Sequence, residues 1–223
     1  MLIDLHTHTR RYSWDSDLAP DELVDLAKRA GLDGVCITEH DFFWDHDEVR
    51  DLSKRHDFLV LPGVEINTDD GHMLCFGLQT YVYGMHRAPE LSGHVQRAGG
   101  VVIAAHPYRR QMPWNQQDDA EYDQALSKAA ANVAYAGCAA MERVNGRGTE
   151  FENGFAGAVC DRVGLPGTAG SDAHQAHDVG RCATEFLDHI SGLDDLITGL
   201  KAGRCRALRL TMGKGVDELE RLT

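Results

Sequence analysis

Apolar runs and amphipathic stretches alternate along the chain. The apolar runs predict strands at 2–8, 34–38, 58–66, 72–78, 101–105, 138–144, 167–171 and 204–208. The stretches between them predict helices at 20–30, 46–56, 88–98, 118–131, 149–163 and 193–202. A repeated strand-then-helix order is typical of parallel strands joined by right-handed crossovers. Because no linker, repeat or low-complexity tract interrupts it, the pattern predicts an α/β fold with one domain over residues 1–223.

Polar residues of metal-binding type stand where several predicted strands pass into the following loop. They are His8, His40, Glu65, His106 and Asp172. In a parallel barrel these carboxyl ends form one face, where active sites are built. His6 shares a face of the first strand with His8, because side chains in a strand repeat with a period of two. Residues far apart in sequence are therefore expected to converge on one metal site.

The full candidate set contains more ligands than one metal ion needs. It comprises His6, His8, Asp15, His40, Glu65, His72, His106, Asp172 and His174. A catalytic zinc takes about three protein ligands, so the set predicts two or three ions with bridging carboxylates. Mixed imidazole and carboxylate ligands favour zinc, manganese or iron over calcium or magnesium, and leave the choice among the first three open. Ions roughly 3.5–4 Å apart suit in-line displacement at phosphorus by an activated water.

Net charge and the number and spacing of the cysteines indicate which partners and which cellular compartment to expect. The formal charge of −13 argues against a protein that grips long nucleic acid. Six cysteines without a Cys-x-x-Cys pair are typical of reduced, core-filling thiols in a cytoplasmic protein. No signal-like segment opens the chain, and no apolar stretch approaches the roughly 20 residues that span a bilayer. We therefore expect a cytoplasmic protein without a membrane partner, and the oligomeric state stays open.

Seven motifs in order resemble those of the PHP (polymerase and histidinol phosphatase) family of metal-dependent phosphoesterases. They are Asp4-Leu5-His6-Thr7-His8, the Asp15 to Pro20 spacing, Thr38-Glu39-His40-Asp41, Gly63-Val64-Glu65, the His72 to Gly77 segment, His106-Pro107 and Gly170-Ser171-Asp172-Ala173-His174. The resemblance covers residues 4–174 and implies a distorted seven-stranded (β/α) TIM-like barrel.

The resemblance also implies three metal sites. One set is His6, His8, Glu65 and Asp172; a second is Glu65, His72 and His106; a third is Asp15, His40 and His174. Asp17 is an alternative to Asp15, although the spacing to Pro20 favours Asp15. Glu39 and Asp41 flank His40, where they either orient imidazoles or serve as helix caps or solvated groups.

Several arginines stand near the same strand ends. Arg109, Arg143 and Arg181 are candidates for phosphate contact, and Arg110 and Arg147 lie beside them. Trp114 either stacks on a base or sugar or packs in the core or at the rim. Little sequence follows the His-Pro motif before the next helix, where longer relatives carry an insertion, so we expect an open pocket.

The sequence favours a metal-dependent phosphoesterase acting on a small phosphorylated metabolite or nucleotide, as a monoester or diester. Glu65, Asp172 and the arginines would carry catalysis, and no phosphoenzyme is expected, because no cysteine or serine lies in a recognisable nucleophile motif. Histidinol-phosphatase-like activity and exonuclease activity on short oligonucleotides are alternatives within the family. An amidohydrolase is disfavoured, since its site usually has a bridging lysine where this chain has Glu65. A non-catalytic module is disfavoured because every ligand position holds a competent residue.

Overall fold

The computed structural model describes residues 1–210 and 220–221, and its elements follow the predicted order. The strands are β1 (Leu2–Thr7), β2 (Gly34–Ile37), β3 (Leu59–Pro62), β4 (Val64–Thr68), β5 (Gly71–Phe76), β6 (Val101–Ala104), β7 (Ala140–Asn145), β8 (Gly167–Gly170), β9 (Cys182–Phe186), β10 (Cys205–Arg209) and β11 (Glu220–Arg221). The helices are α1 (Pro20–Arg29), α2 (His46–His56), α3 (Ala88–Arg97), α4 (Asp119–Ala130), α5 (Glu150–Val163) and α6 (Leu193–Lys201). The sequence pattern did not predict β9, β11 or the short 3-10 helix Val133–Gly137.

The helix boundaries agree with the predictions to within one or two residues because local side chains fix them. Asp45 accepts hydrogen bonds from two backbone N–H groups at the start of α2. Thr149 and Glu152 form a reciprocal capping box at the start of α5. Gly164 ends α5 in the left-handed conformation that glycine adopts without steric cost. Such signals depend on neighbouring residues and are readable from sequence.

The strands form two sheets that contain both parallel and antiparallel pairs. The sheet orders are β11-β10-β9-β1-β2-β3 and β4-β5-β6-β7-β8. The two series β1-β2-β3 and β6-β7-β8 are parallel, as predicted. The expectation that all strands are parallel is wrong, since β9 pairs antiparallel with β1 and β10, and β5 with β4 and β6. The two-residue connection between β4 and β5 is too short for a crossover helix.

The apolar run at 58–66 is two strands rather than one. It divides at Gly63, so that β3 belongs to the first sheet and β4 to the second. A Cβ atom at Gly63 would lie 2.6 Å from the ring of Phe76 and 2.9 Å from the methyl of Thr38. Only glycine permits this close crossing. The change of sheet carries Glu65 to the line where the two sheets meet.

The two sheets meet where the carboxyl ends of β1, β2 and β8 approach the start of β4. Glu65, which was expected at the end of a strand, therefore lies near the beginning of one. Isolated bridges join Thr7 to Ala173 and His40 to Glu65. The backbone N–H of Asp172 also donates to the carbonyl of His6 at 2.8 Å. The described pairing therefore shows an α/β fold with two sheets, and the predicted closed seven-stranded barrel is not confirmed. These contacts bring the strand ends together at one edge of the molecule. We call it the cluster edge; it holds Thr7, His40, Glu65, Asp172 and Ala173.

Three apolar cores pack the helices against the two sheets. One core packs Leu91 of α3 and Phe155 of α5 against β4 to β7. Another packs α1 and α2 against β1 and β2, and a third packs α6 against Phe186 and Phe76. Within the described part of the chain, no helix is long and apolar enough to cross a membrane.

Candidate metal centre

Glu65 lies at the centre of the cluster edge and is fully enclosed by it. The strand change at Gly63 places it there, immediately after the chain enters the second sheet. Its carboxylate approaches five histidine rings. From Oε2 the distances are 2.8 Å to His40 Nδ1, 3.3 Å to His6 Nε2 and 3.4 Å to His8 Nε2; from Oε1 they are 2.8 Å to His72 Nδ1 and 2.9 Å to His106 Nε2. This arrangement matches the bridging role that the resemblance implies for Glu65.

Asp172 approaches the same cluster from β8. Its Oδ1 lies 3.4 Å from Nε2 of His8 and 3.6 Å from Nε2 of His6. Its Oδ2 instead accepts hydrogen bonds from Arg109 at 2.6 Å and from Asn145 at 3.3 Å. One oxygen is thus held by the protein, and the other faces the histidines.

Asp15, rather than Asp17, faces His40 and His174. Oδ2 of Asp15 lies 3.3 Å from Nε2 of His174 and 3.5 Å from Nε2 of His40. Asp17 is exposed, and its carboxylate accepts a hydrogen bond from Gln175 instead. The structure therefore brings all nine predicted ligands together at one edge.

Four buried atoms of this cluster have no hydrogen-bond partner among the described residues. They are Nε2 of His6, Nε2 of His8, Oε2 of Glu65 and Oδ1 of Asp172, and across imidazole–carboxylate pairs they lie 3.3–3.6 Å apart. An unsatisfied buried polar group costs about 1–3 kcal/mol, and such groups are rare in native proteins. The four residues are those that the resemblance assigns to one metal ion. Imidazole nitrogen and carboxylate oxygen are donors that zinc, manganese and iron accept, so the residues present fit a metal ion.

The charges of the cluster suit metal binding. Burial would raise the pKa values of Glu65 and Asp172, but neighbouring histidines, His6 foremost, hold both well below their ordinary range. Burial lowers the pKa of His8 to about 3 and also lowers that of His106. For His6, burial acts in the same direction, but the surrounding carboxylates outweigh it and raise the pKa. Two carboxylates are thus ionised and two imidazoles neutral, which are the ligand forms a metal requires.

A buried carboxylate that sequence reasoning missed orients two ligands. Glu142 lies 1% exposed in β7, and its Oε1 is 3.0 Å from Nδ1 of His6. Its Oε2 accepts hydrogen bonds from the backbone N–H of His106 at 2.8 Å and from Asn145 at 3.0 Å. A carboxylate on Nδ1 fixes the tautomer so that Nε2 faces the cluster. The available signal was a glutamate directly after the apolar run Ala139-Ala140-Met141 and within the same predicted strand.

Glu39 has a comparable role toward His8. It is fully buried and accepts hydrogen bonds from Ser13 at 2.5 Å and from Trp44 Nε1 at 3.0 Å. The Ser13 hydroxyl lies 3.3 Å from Nδ1 of His8, so Glu39 orients that ring through the serine. Asp41 instead is exposed and accepts a hydrogen bond from a backbone N–H in β4.

Arg109 contacts two of the predicted ligands, Asp172 and His106. Its guanidinium contacts Asp172 and lies 3.1 Å from Nε2 of His106. The side chain keeps 38% of its surface exposed, which leaves it open to a bound anion. Arg147 lies at the opposite side, 2.9 Å from Nδ1 of His174.

Arg143 and Arg181 lie outside the cluster. Arg143 points away from the cluster, where its guanidinium pairs with Asp161 of α5 at 2.5 Å. Its predicted phosphate contact is therefore not supported by its position. Arg181 lies at the rim and donates to the backbone carbonyls of Gly146 and His177. Trp114 is 97% exposed, so the interpretation that it packs in the core or at the rim is wrong.

Backbone strain is concentrated at this edge. Five described residues other than glycine have positive φ: Asp41, Asp57, His106, Arg110 and Asp172. All but Asp57, which caps α2, lie in or beside the cluster. Such conformations cost of order 1–3 kcal/mol each and persist where the surrounding structure imposes them.

Curated relatives match parts of the chain. Over 118 residues it is 31% identical to an uncharacterized protein of Methanocaldococcus jannaschii, covering 48% of this chain and 68% of that protein. Over 70 residues it is 36% identical to a PolC-type DNA polymerase III of Oceanobacillus iheyensis. That match covers 31% of this chain and 5% of the polymerase, so it concerns a small segment of a much larger protein.

Solved structures share the fold. A two-domain protein of Bacteroides vulgatus, which contains a predicted PHP-like metal-dependent phosphoesterase, aligns with a TM-score of 0.66 and 21% identity. The alignment covers 94% of this chain and 65% of that one. An amidohydrolase of Chromobacterium violaceum, solved with sulfate and no metal, aligns with a TM-score of 0.61 and 19% identity over 93% of this chain and 97% of its own. At these identities the likeness concerns the fold.

Two family profiles together span most of the chain. The PHP domain profile matches residues 4–139, and a PHP-associated profile matches 150–205. The cluster needs both parts, because Asp172 and His174 come from the second. With its ligands from both parts converging on Glu65, the chain belongs to the PHP domain family.

Proposed function

We propose that this protein hydrolyses the phosphate ester of a small metabolite or nucleotide in a metal-dependent reaction. The observation that carries the proposal is the group of four buried, unpartnered ligand atoms that face one another around Glu65. A fold of this kind without a bound ion would leave these atoms unsatisfied. The small substrate is its partner in this proposal, and the charge of −13 weighs against long nucleic acid.

Three ligand sets would hold two or three zinc, manganese or iron ions. They are the set of His6, His8, Glu65 and Asp172, the set of Glu65, His72 and His106, and the set of Asp15, His40 and His174. When bound, such ions polarise phosphoryl oxygens and lower the pKa of water to around 7. We also propose that the strand ends form the barrel-like bowl in which these ions lie.

The chain's own residues would position and neutralise the substrate. Glu142 and the Glu39–Ser13 pair hold the imidazoles of His6 and His8 in fixed orientations. Arg109 presents a planar guanidinium beside Asp172, where it offsets negative charge that develops on the phosphoryl oxygens. Preorganised charges of this kind are effective because they need no reorganisation during the reaction.

A covalent phosphoenzyme is not part of the proposal. Burial raises the pKa of all six cysteine thiols, so none of them is an activated nucleophile. All six are free, which fits a reducing compartment, and we propose that the protein acts in the cytoplasm.

A second candidate is trimming of short oligonucleotides. It is favoured by the segment shared with a PolC-type polymerase and by the exposed rings of Trp14, 92%, and Trp114, 97%. Trp14 directly precedes Asp15, so a base stacked on it would lie near the cluster. The likeness to an amidohydrolase concerns the fold alone, and the position at which such a site usually has a bridging lysine holds Glu65.

The test is a screen of the metal-loaded protein against phosphorylated metabolites, histidinol phosphate, dinucleotides and amide substrates. Elemental analysis of the same sample should find at least two transition-metal ions per chain. One turnover in oxygen-18 water should place the label on the phosphoryl product. Activity with fewer than one ion per chain, label on the alcohol, or hydrolysis of amides alone would contradict the proposal.

A further inference from the structure

A cavity of about 210 Å³ opens beside one side of the metal cluster. It lies between the start of β5, the end of β6 and the turn that follows His106. Two predicted ligands, His72 and His106, form part of its wall, and Arg109 and Arg110 lie at its edge. The cavity is therefore continuous with the place where a phosphoryl group would bind. We call it the side pocket.

The walls of the side pocket are mainly apolar. Met73, Ala104, Pro107 and the ring of Tyr135 line it. The Tyr135 hydroxyl accepts a hydrogen bond from the Gln111 amide at 3.2 Å, so two residues of the lining contact each other. Asp70 also lines the cavity. An uncharged, partly apolar group fits such walls better than a second phosphate.

The size of the side pocket limits what it holds. A volume of about 210 Å³ lies below the 300–1,000 Å³ of pockets that enclose drug-sized ligands. One ring fills this space, whereas a nucleotide chain exceeds it. The positive φ of Arg110, 64°, turns the backbone so that two successive arginines border the pocket.

We infer that the side pocket binds the organic group of the substrate, and that this group is a single uncharged ring carried by the ester oxygen. The inference rests on the proposed function. Hydrolysis breaks the bond between phosphorus and the ester oxygen; water supplies the new oxygen on phosphorus, and its proton goes to the departing alcohol. The alcohol leaves on the side of His72 and His106, and the attacking water approaches from the side of Asp15, His40 and His174.

The experiment compares the binding of phenylphosphonate and methylphosphonate, two non-hydrolysable probes, to the metal-loaded protein by calorimetry. Burying one phenyl ring should make phenylphosphonate bind about 30-fold more tightly. Gln111→Trp places a large side chain at the pocket wall and should reduce this preference to less than threefold. Gln117→Trp adds the same side chain at an exposed position outside the pocket and should preserve the preference. Tyr135→Phe keeps the ring and should preserve it as well.

Equal binding of the two phosphonates, or a preference that survives Gln111→Trp, would contradict the inference that the side pocket binds the organic group. Hydrolysis is a separate measurement on phenyl phosphate and methyl phosphate. If neither ester is hydrolysed while the phenyl preference persists and depends on Gln111, the side pocket stands and the proposed function fails. If both esters are hydrolysed with equal kcat/KM and the phosphonates bind equally, the proposed function stands and the side pocket fails.

Discussion

The cluster edge has a deep half and a rim half that differ in how the protein holds them. The deep half is His6, His8, Glu65 and Asp172, whose side chains are at most 1% exposed. The rim half is Asp15, His40 and His174, in which the side chains of Asp15 and His40 are 34% and 25% exposed, although that of His174 is only 5% exposed. Buried partners orient deep ligands, as Glu142 does for His6, whereas water reaches the rim carboxylate. Buried unpaired ligands need a metal ion, but exposed ones are solvated without it. We therefore expect tight binding in the deep half and exchangeable binding at the rim.

The largest effect should come from the bridge. Glu65→Gln keeps the side-chain volume but removes the charge that contacts five imidazoles. We expect phosphatase activity to fall by ~10³ or more, about 4 kcal/mol of transition-state stabilisation, with loss of more than one metal ion. Steady-state kinetics and elemental analysis measure both. Near-normal turnover with unchanged metal content would show that Glu65 does not bridge the metal ions.

A smaller effect should follow from the orienting carboxylate. Glu142→Gln weakens the contact that fixes the His6 tautomer, and loss of such a partner typically costs about 10–100-fold in metal affinity or activity. Competition with a chelator measures the affinity of the deep ion. Glu22→Gln, the same change at an exposed position of α1, is the matched control and should leave the affinity unchanged. Equal affinities in the two variants would show that Glu142 does not orient the deep half.

The rim should respond more mildly. Asp15→Asn removes a partly exposed ligand, so we expect loss of the weakest ion and about a tenfold fall in activity, about 1.4 kcal/mol, while the deep ions stay bound. Asp17→Asn changes a neighbouring carboxylate that faces Gln175 and should have no effect. Metal titration of both variants measures how many ions bind and how tightly. A larger loss in Asp17→Asn would reverse the assignment of the rim ligand.

The smallest effect should lie outside both halves. Arg143→Ala removes a guanidinium that pairs with the exposed Asp161, so activity should stay within twofold of the wild type. An ion pair at the surface contributes about 0–1 kcal/mol, and the free energy of unfolding should fall by no more than that. Urea denaturation measures the stability. A tenfold loss of activity at unchanged stability would restore the phosphate-binding role predicted from the sequence.

The strand β7 shows why side-chain direction could not be read from the sequence. Strict alternation places Arg143 and Asn145 on one face and Glu142 on the other. A register shift between Glu142 and Val144 breaks the alternation. As a result Glu142 and Asn145 both face the cluster, and Arg143 faces α5. Such a shift depends on the pairing with β8, which sequence periodicity does not contain.

Periodicity, caps such as Thr149–Glu152 and motifs at strand ends are enough to predict the order of elements, most helix ends and the nine candidate ligands. The division into two sheets, the crossing at Gly63, the inward carboxylate of Glu142 and the side pocket become visible only in the folded chain. The physical reason is range: caps and periodicity arise between neighbours in sequence, whereas sheet membership, register and cavities arise between segments that meet only after folding.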